Sequence, residues 1–250
     1  MGVRHRVRVE AGGDQAGIVR HVDHQVRADL VGDGAEAGEV DLHLTDDAAH
    51  EGRKVWKIRF RAHSSGILQK MSGVKIDDEF VFLTEPDSLC TLSVSKKIRE
   101  GKRKRRVDVE YLGGTGQLRI RETDEAPTPP VQRKDETKDG VPACVHDPFS
   151  AIYLFRKSPL EPKYGQTFTM AHDDSIKEIR THVDRQETIK VPAGQFPAWR
   201  VKTASMMGGL FKDGGQFLLW LSADERKLPL QFEVKVSLGK VFGRLKAVEN

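Results

Sequence analysis

From Trp56 onward, apolar and polar residues alternate. Trp56, Ile58, Phe60 and Ala62 are separated by Lys57, Arg59, Arg61 and His63. This period of two marks a half-buried strand with a basic outer face. Ser64-Ser65-Gly66 interrupts it, and residues 67–71 have room for one helical turn. Further strands are expected near 74–83, 89–98, 103–111 and 117–121, with Glu100-Gly101-Lys102 as a hairpin turn. Alternation returns near 166–171, 176–191, 198–204, 216–221, 230–238 and 240–248. Asp173-Asp174, Ala193-Gly194, Asp213-Gly214-Gly215 and Leu238-Gly239 supply turns. Such short gaps favour antiparallel neighbours.

One stretch, 147–156, has the helical period instead. Asp147 suits an N-cap and Pro148 the first helical position. Phe149, Ile152, Tyr153 and Phe155 supply an apolar face, and Pro159 ends the element. Residues 122–146 are charged, contain Pro127, Pro129, Pro130 and Pro142, and read as a long exposed loop. The predicted fold is therefore all-β: one large antiparallel sheet, strongly twisted and curled into an incomplete barrel, with one short α-helix packed on it.

Composition changes this picture at one end. The 250 residues carry a net charge of +4, with 38% apolar and 31% charged residues. Before residue 51 there is no Lys, Ser, Pro, Phe, Tyr, Trp, Asn or Cys, and Arg is outnumbered by Asp and Glu. Apart from Met1, Ile18 and Thr45, that segment uses only residues whose codons can begin with G or C. A GC-rich gene read in a shifted frame produces this alphabet. Residues 1–51 are thus expected to be a foreign extension, or else a disordered acidic arm, with no stable core. Residues 52–250 are expected to form a single β-rich domain.

The chain has no apolar run of the roughly 18 residues that a membrane-spanning helix needs. As written, it also has no signal-peptide pattern. Two cysteines, Cys90 and Cys144, are too few for a disulfide scaffold or a four-cysteine zinc site. They could pair in an oxidising compartment or stay free. His21, His24, Asp41, His43, Asp46, Asp47 and His50 are metal-ligating residue types, but the segment offers no rigid shell, and no metal or other cofactor is assigned.

Candidate chemistry is sparse. Ser150, His146 and Asp147 suggest a hydrolytic triad, yet near-adjacent residues do not form a nucleophile–base–orienter line, and no G-x-S-x-G elbow is present. Asp224, Glu225 and Arg226 read as a hairpin turn with an Asp–Arg contact, and Gly194 as a turn residue needing positive φ. No catalytic residue is assigned. The sharpest charge feature is the basic run Arg99, Lys102, Arg103, Lys104, Arg105 and Arg106, with Arg103 to Arg106 as the anion-contacting candidates. It suits either contact with phosphates or a solvated hairpin tip guarded by charge. Trp56, Trp199, Trp220, Phe217, Phe232 and Phe242 lie on expected strands, as core or as the lining of an apolar cavity. Tyr153 and Arg156 would then guard the cavity mouth.

The sequence also resembles a known family. DPFSAIYLFR at 147–156, Pro159-Leu160, Gly165, IKVPAGQFPAWRVK at 189–202 and GLFKDGGQFLLWLSADERKLPL at 209–230 carry the likeness. GRKVWKIRFRAHSSGIL at 52–68, DDEFVF at 77–82 and KKIREGKRKRR at 96–106 extend it, giving coverage of 52–250. These motifs are similar to those of the bacterial domain-of-unknown-function family 3108. The resemblance implies an exported protein with a curled antiparallel sheet and a single helix, and brings no established catalytic residue or substrate. The family's opening strand finds no match in residues 1–50, so the sheet is expected to lack one or two edge strands. A looser likeness to half-barrel lipoprotein carriers implies an apolar ligand.

Three functions follow from these readings. The first is non-catalytic binding of a lipid or other apolar ligand in the cell envelope, through Tyr153, Arg156, Trp199 and Trp220. The second is a structural or protein-interaction module of the envelope. The third is nucleic-acid binding through the basic hairpin, which no interleaved aromatic supports.

Overall fold

The computed structural model describes residues 24–32, 35–65, 73–112, 114–203, 217–236 and 239–249. The first half is a meander: β1 (His24–Gly32), β2 (Ala35–His50), β3 (Arg53–Ser64), β4 (Asp77–Thr84), β5 (Thr91–Glu100), β6 (Arg103–Leu112), β7 (Gln117–Asp124) and β8 (Val131–Asp139). A single described helix follows, α1 (Pro148–Lys157). The second half is β9 (Gly165–His172), β10 (Ser175–Val191), β11 (Gly194–Thr203), β12 (Phe217–Ser222), β13 (Pro229–Val236) and β14 (Gly239–Glu249).

All 14 strands form one antiparallel sheet, ordered β8-β7-β6-β5-β4-β3-β2-β1-β14-β13-β12-β11-β10-β9. From β1 in the middle of the sheet the chain steps out to the β8 edge, crosses through α1 to the opposite edge at β9, and steps back to the middle. There β14 pairs with β1, Val26 opposite Val248 and Leu30 opposite Gly243. The two edges do not join, so the sheet is a barrel left open.

The sheet curls around α1, and the helix reaches both halves of it. Phe149 lies 4.6 Å from Phe60 on β3 and 5.0 Å from Phe82 on β4. Phe155, two turns on, meets Phe168 on β9 at 5.9 Å. Tyr153 belongs to a core cluster that includes Trp56, Ile58, Phe82, Val94 and Val109. Ala151, Ile152 and Phe155 belong to a second cluster, with Phe168, Ile179, Val201 and Leu219. Burying both faces of one short helix inside one sheet gives the domain its core.

Two expectations are corrected here. Residues 24–50 contribute β1 and β2, both central strands. Val26, Ala28, Val40, Leu42 and Leu44 are buried and alternate with polar neighbours. That period of two was visible in the sequence, but the restricted alphabet around it overshadowed it. The sheet accordingly does not lack strands beside β3, and its edges are β8 and β9. Residues 1–23 lie outside the described residues, as do residues 67–71, where a helical turn was expected.

The second correction concerns residues 122–146, read as a loop. β8 occupies 131–139 and pairs with β7, Arg119 opposite Thr137 and Ile120 opposite Glu136. It is an edge strand polar on both faces, so no alternation betrays it. Its charges suit an edge that must resist further pairing. The other elements match their expected positions closely. Asp147 is the N-cap of α1, accepting from the Phe149 and Ser150 N–H groups, with Ser150 completing a capping box.

Candidate functional site

The interior face is built by register. Phe60 pairs with Phe80, Phe80 with Lys96, and Lys96 with Val107. On the adjacent row, Ile58, Phe82, Val94, Val109 and Ile120 follow one another across β3 to β7. Phe60, Phe80 and Phe149 are only half-buried and pack on the edge of the core. Phe60 and Phe80 thus form an aromatic wall on the sheet, and Phe149 of α1 packs against it.

Lys96 breaks this apolar row. Its side chain is 7% exposed, and its ammonium lies 2.6 Å from Asp173 and 5.6 Å from the centre of the Phe80 ring. Asp173 stands in the turn between β9 and β10, which reaches from the far half of the sheet. The neighbouring Asp174 takes Lys134 at 2.6 Å and Lys138 at 2.5 Å, both from β8. Those two lysines hold its carboxyl down to about 2. The Tyr111 hydroxyl adds a longer bond to the Asp173 carbonyl, 3.4 Å. The second half of the sheet thus pins an acidic tip to a basic patch on the first. Sequence analysis did not single out this cluster. Its signal was the lysine at the second position of Val94-x-Lys96-x-Ile98, where alternation calls for an apolar residue.

The crossing segment before α1 ties the halves together again. His146 donates its backbone N–H to the Thr169 carbonyl and accepts from Ala171 on β9. Thr91, at the start of β5, donates its N–H to the Val145 carbonyl. Cys90 and Cys144, left open by the sequence, form a disulfide with Cα atoms 5.1 Å apart. The bridge fastens this segment to the turn between β4 and β5.

The triad suggested by Ser150, His146 and Asp147 does not form. The Ser150 hydroxyl is engaged with the Asp147 backbone, and the Asp147 carboxylate caps α1. The His146 ring donates from Nδ1 to the Leu89 carbonyl at 2.9 Å. Burial lowers the His146 pKa. Asp224 and Arg226 make the expected turn contact at 2.8 Å, and Gly194 has φ 142°.

Of the four residues expected to bind an apolar ligand, Tyr153 and Arg156 touch each other on α1, while Trp199 and Trp220 stand on β11 and β12. Tyr153 is 3% exposed, packed edge-on against Trp56 at 6.4 Å, and burial pushes its hydroxyl up to about 12. Arg156 lies over the Tyr153 ring at 5.2 Å and donates to the Arg226 carbonyl. Trp220 is buried and donates its indole N–H to Glu187 at 2.8 Å. Trp199 packs on the second cluster. None of the four lines the two clefts found on the first half of the sheet.

One of those clefts, about 250 Å³, opens on the outer face of β4 to β7. Val81, Leu83, Ser93 and Ser95 form part of its lining. The other, about 520 Å³, lies at the rim where β5 turns into β6. Lys102, Arg103, Arg105, Glu122, Asp124, Ala126 and Arg133 line it. The basic run therefore meets the larger cleft through Arg103 and Arg105. Arg103 pairs with Glu100 at 2.8 Å, Arg105 with Glu122, and Arg106 with Asp108 at 2.8 Å. Lys104 is exposed beside them. Much of the run is thus offset by carboxylates of its own sheet.

The family model described as "Protein of unknown function (DUF3108)" matches residues 25–246. The chain belongs to the DUF3108 family. The match begins inside β1, which corrects the expected start at residue 52 and makes residues 25–50 part of the family's own domain. No curated protein matches the sequence. Among solved structures, the DUF3108 chain is similar to a β-barrel-like protein of the DUF1849 family from Brucella abortus. The TM-score is 0.63 at 13% identity, over 92% of this chain and 98% of that one. The likeness supports the barrel-like fold alone. A protein with a YmcC-like fold from Bacteroides fragilis matches over 92% of this chain and 97% of its own. At a TM-score of 0.39 and 10% identity, that likeness has no bearing on function.

Proposed function

We propose that this DUF3108 protein is a non-catalytic binding protein of the bacterial cell envelope and that its ligand is an amphiphile. The observation that carries the reading is the change of chemistry along one face of β6. Val109 and Val107 are buried in the core cluster. Arg105 and Arg103 continue the same alternating face and line the rim cleft. An apolar chain would lie against the aromatic wall of Phe60 and Phe80 beside Phe149, and its polar head would meet the rim. The Cys90–Cys144 bridge supports an oxidising compartment, as expected of an exported protein.

A second reading has its own support. α1 fills the space between β3, β4 and β9. A packed interior favours an envelope interaction module, which would recognise its partner from the surface. Organic extraction of protein purified from its host's envelope separates the two. Stoichiometric lipid in the extract supports the amphiphile; a clean extract from folded protein overturns it in favour of the interaction module.

A further inference from the structure

We infer that the rim cleft is an anion site, built to take a phosphate group. This deepens the amphiphile reading by naming the head group, and it rests on that reading only for what the phosphate is attached to. Four cations line the cleft, Lys102, Arg103, Arg105 and Arg133, against the two carboxylates of Glu122 and Asp124. Each carboxylate is already engaged: Glu122 by Arg105, and Asp124 by Arg133 at 2.9 Å. Outside the lining, Glu100 takes one contact from Arg103.

The decisive group is the Arg105 Nε. It is buried, and it has no hydrogen-bond partner. An orphaned guanidinium N–H is costly, because a donor stripped of water gains nothing in return. Glu122 occupies another nitrogen of the same guanidinium, Nη2, so the fork is half used. Nε is shielded from solvent in this conformation, so a phosphate oxygen entering the cleft would satisfy it by a charge-assisted bond once the partly exposed guanidinium turns toward it, with Lys102 and Arg103 nearby to share the charge. At neutral pH a phosphodiester head group carries one negative charge and a monoester or free phosphate about −1.5 to −2; the lining has an excess of two cations, or of one once Glu100 is counted.

The same chemistry is offered by free phosphate and by a lipid head group, so the test has two arms. Inorganic phosphate is titrated into the full chain by calorimetry at low salt. In parallel, the chain is sedimented with vesicles of phosphatidylglycerol, and with vesicles of phosphatidylcholine as control. Arg105→Gln should weaken phosphate binding about tenfold or more, the loss of one charge-assisted bond. Glu122→Gln should strengthen it severalfold, because the whole fork becomes available. Thermal melting of both variants reports whether the fold is intact. Selective binding to phosphatidylglycerol, lost in Arg105→Gln, would identify a lipid head group; binding of phosphate alone would identify a free anion. No binding by the folded wild-type chain in either arm, or binding that neither substitution changes, overturns the site. A lipid-free extract with phosphate binding intact would remove the amphiphile and leave the site standing.

Discussion

Thr91 and Asp147, 56 residues apart, hold each other through two hydrogen bonds. The Thr91 hydroxyl donates to the Asp147 carboxylate at 2.8 Å and accepts from the Asp147 backbone N–H at 2.9 Å. The pair fixes the N-terminus of α1 to the start of β5, so the helix enters the curled sheet at a defined point. Asp147 is 2% exposed. Burial raises its pKa, even though donors from Ser150, Thr91 and Phe149 oppose the shift.

That raised value makes a pH prediction. The folded state holds the Asp147 proton more tightly than the unfolded chain does. The contribution is therefore greatest below the ordinary carboxylate value of 3.8 and declines as pH rises through it toward the raised folded value. Asp147→Asn keeps a good N-cap and removes the titration. Urea midpoints measured from pH 3 to 8 should show a smaller decline with rising pH in the variant than in the parent. Parallel curves would show that the group does not behave as described.

Asp174 should act in the opposite sense. Lys134 and Lys138 lower its carboxyl to about 2, so its stabilisation is present above 3.8 and disappears as pH falls toward 2. Solvent reaches part of this cluster, so the expected loss in Asp174→Asn at neutral pH is only about 1 kcal/mol. The gap between variant and parent should narrow in acid and in high salt. A gap indifferent to both would mean that the acidic tip does not secure the two halves of the sheet by charge.

The disulfide closes a loop with a sequence separation of 54. Chain-entropy arguments put its contribution at about 4 kcal/mol. Replacing both Cys90 and Cys144 with Ser should lower the unfolding free energy by an amount of that order. Reduction of the wild-type protein should have the same effect, and a thiol-insensitive urea midpoint would contradict it.

Gly38 tests the place of β2. A Cβ at this position would overlap the His63 backbone carbonyl on β3, and a backbone atom cannot swing aside as a side chain would. Gly38→Ala should therefore cost about 1–3 kcal/mol, as overpacking usually does. An unchanged thermal midpoint would mean that residues 35–50 are not packed on β3.

The extent to which the sequence revealed this molecule depended on local contrast. The helix was legible because Asp147, Pro148 and the spacing of Phe149, Ile152 and Tyr153 are local signals. Most strands from β3 onward were legible because one of their faces is apolar. β8 was not, since Arg133 and Asp135 on one face and Lys134 and Glu136 on the other leave no contrast. β1 and β2 have contrast, through Val26, Ala28, Val40, Leu42 and Leu44, but composition outweighed it. The basic residues of the rim could be seen in the sequence, whereas their carboxylate partners could not.

By itself, the sequence determined the strand periods, the turns, the cap of α1 and the family, because each depends on residues close together in the chain or on motifs in a fixed order. Only the tertiary structure decided that β1 pairs with β14, that Cys90 meets Cys144, that Lys96 finds Asp173, and that Arg105 keeps a buried donor without a partner. These contacts join segments far apart in sequence. They form when a sheet curls around a helix, and curling depends on the packing of the whole chain.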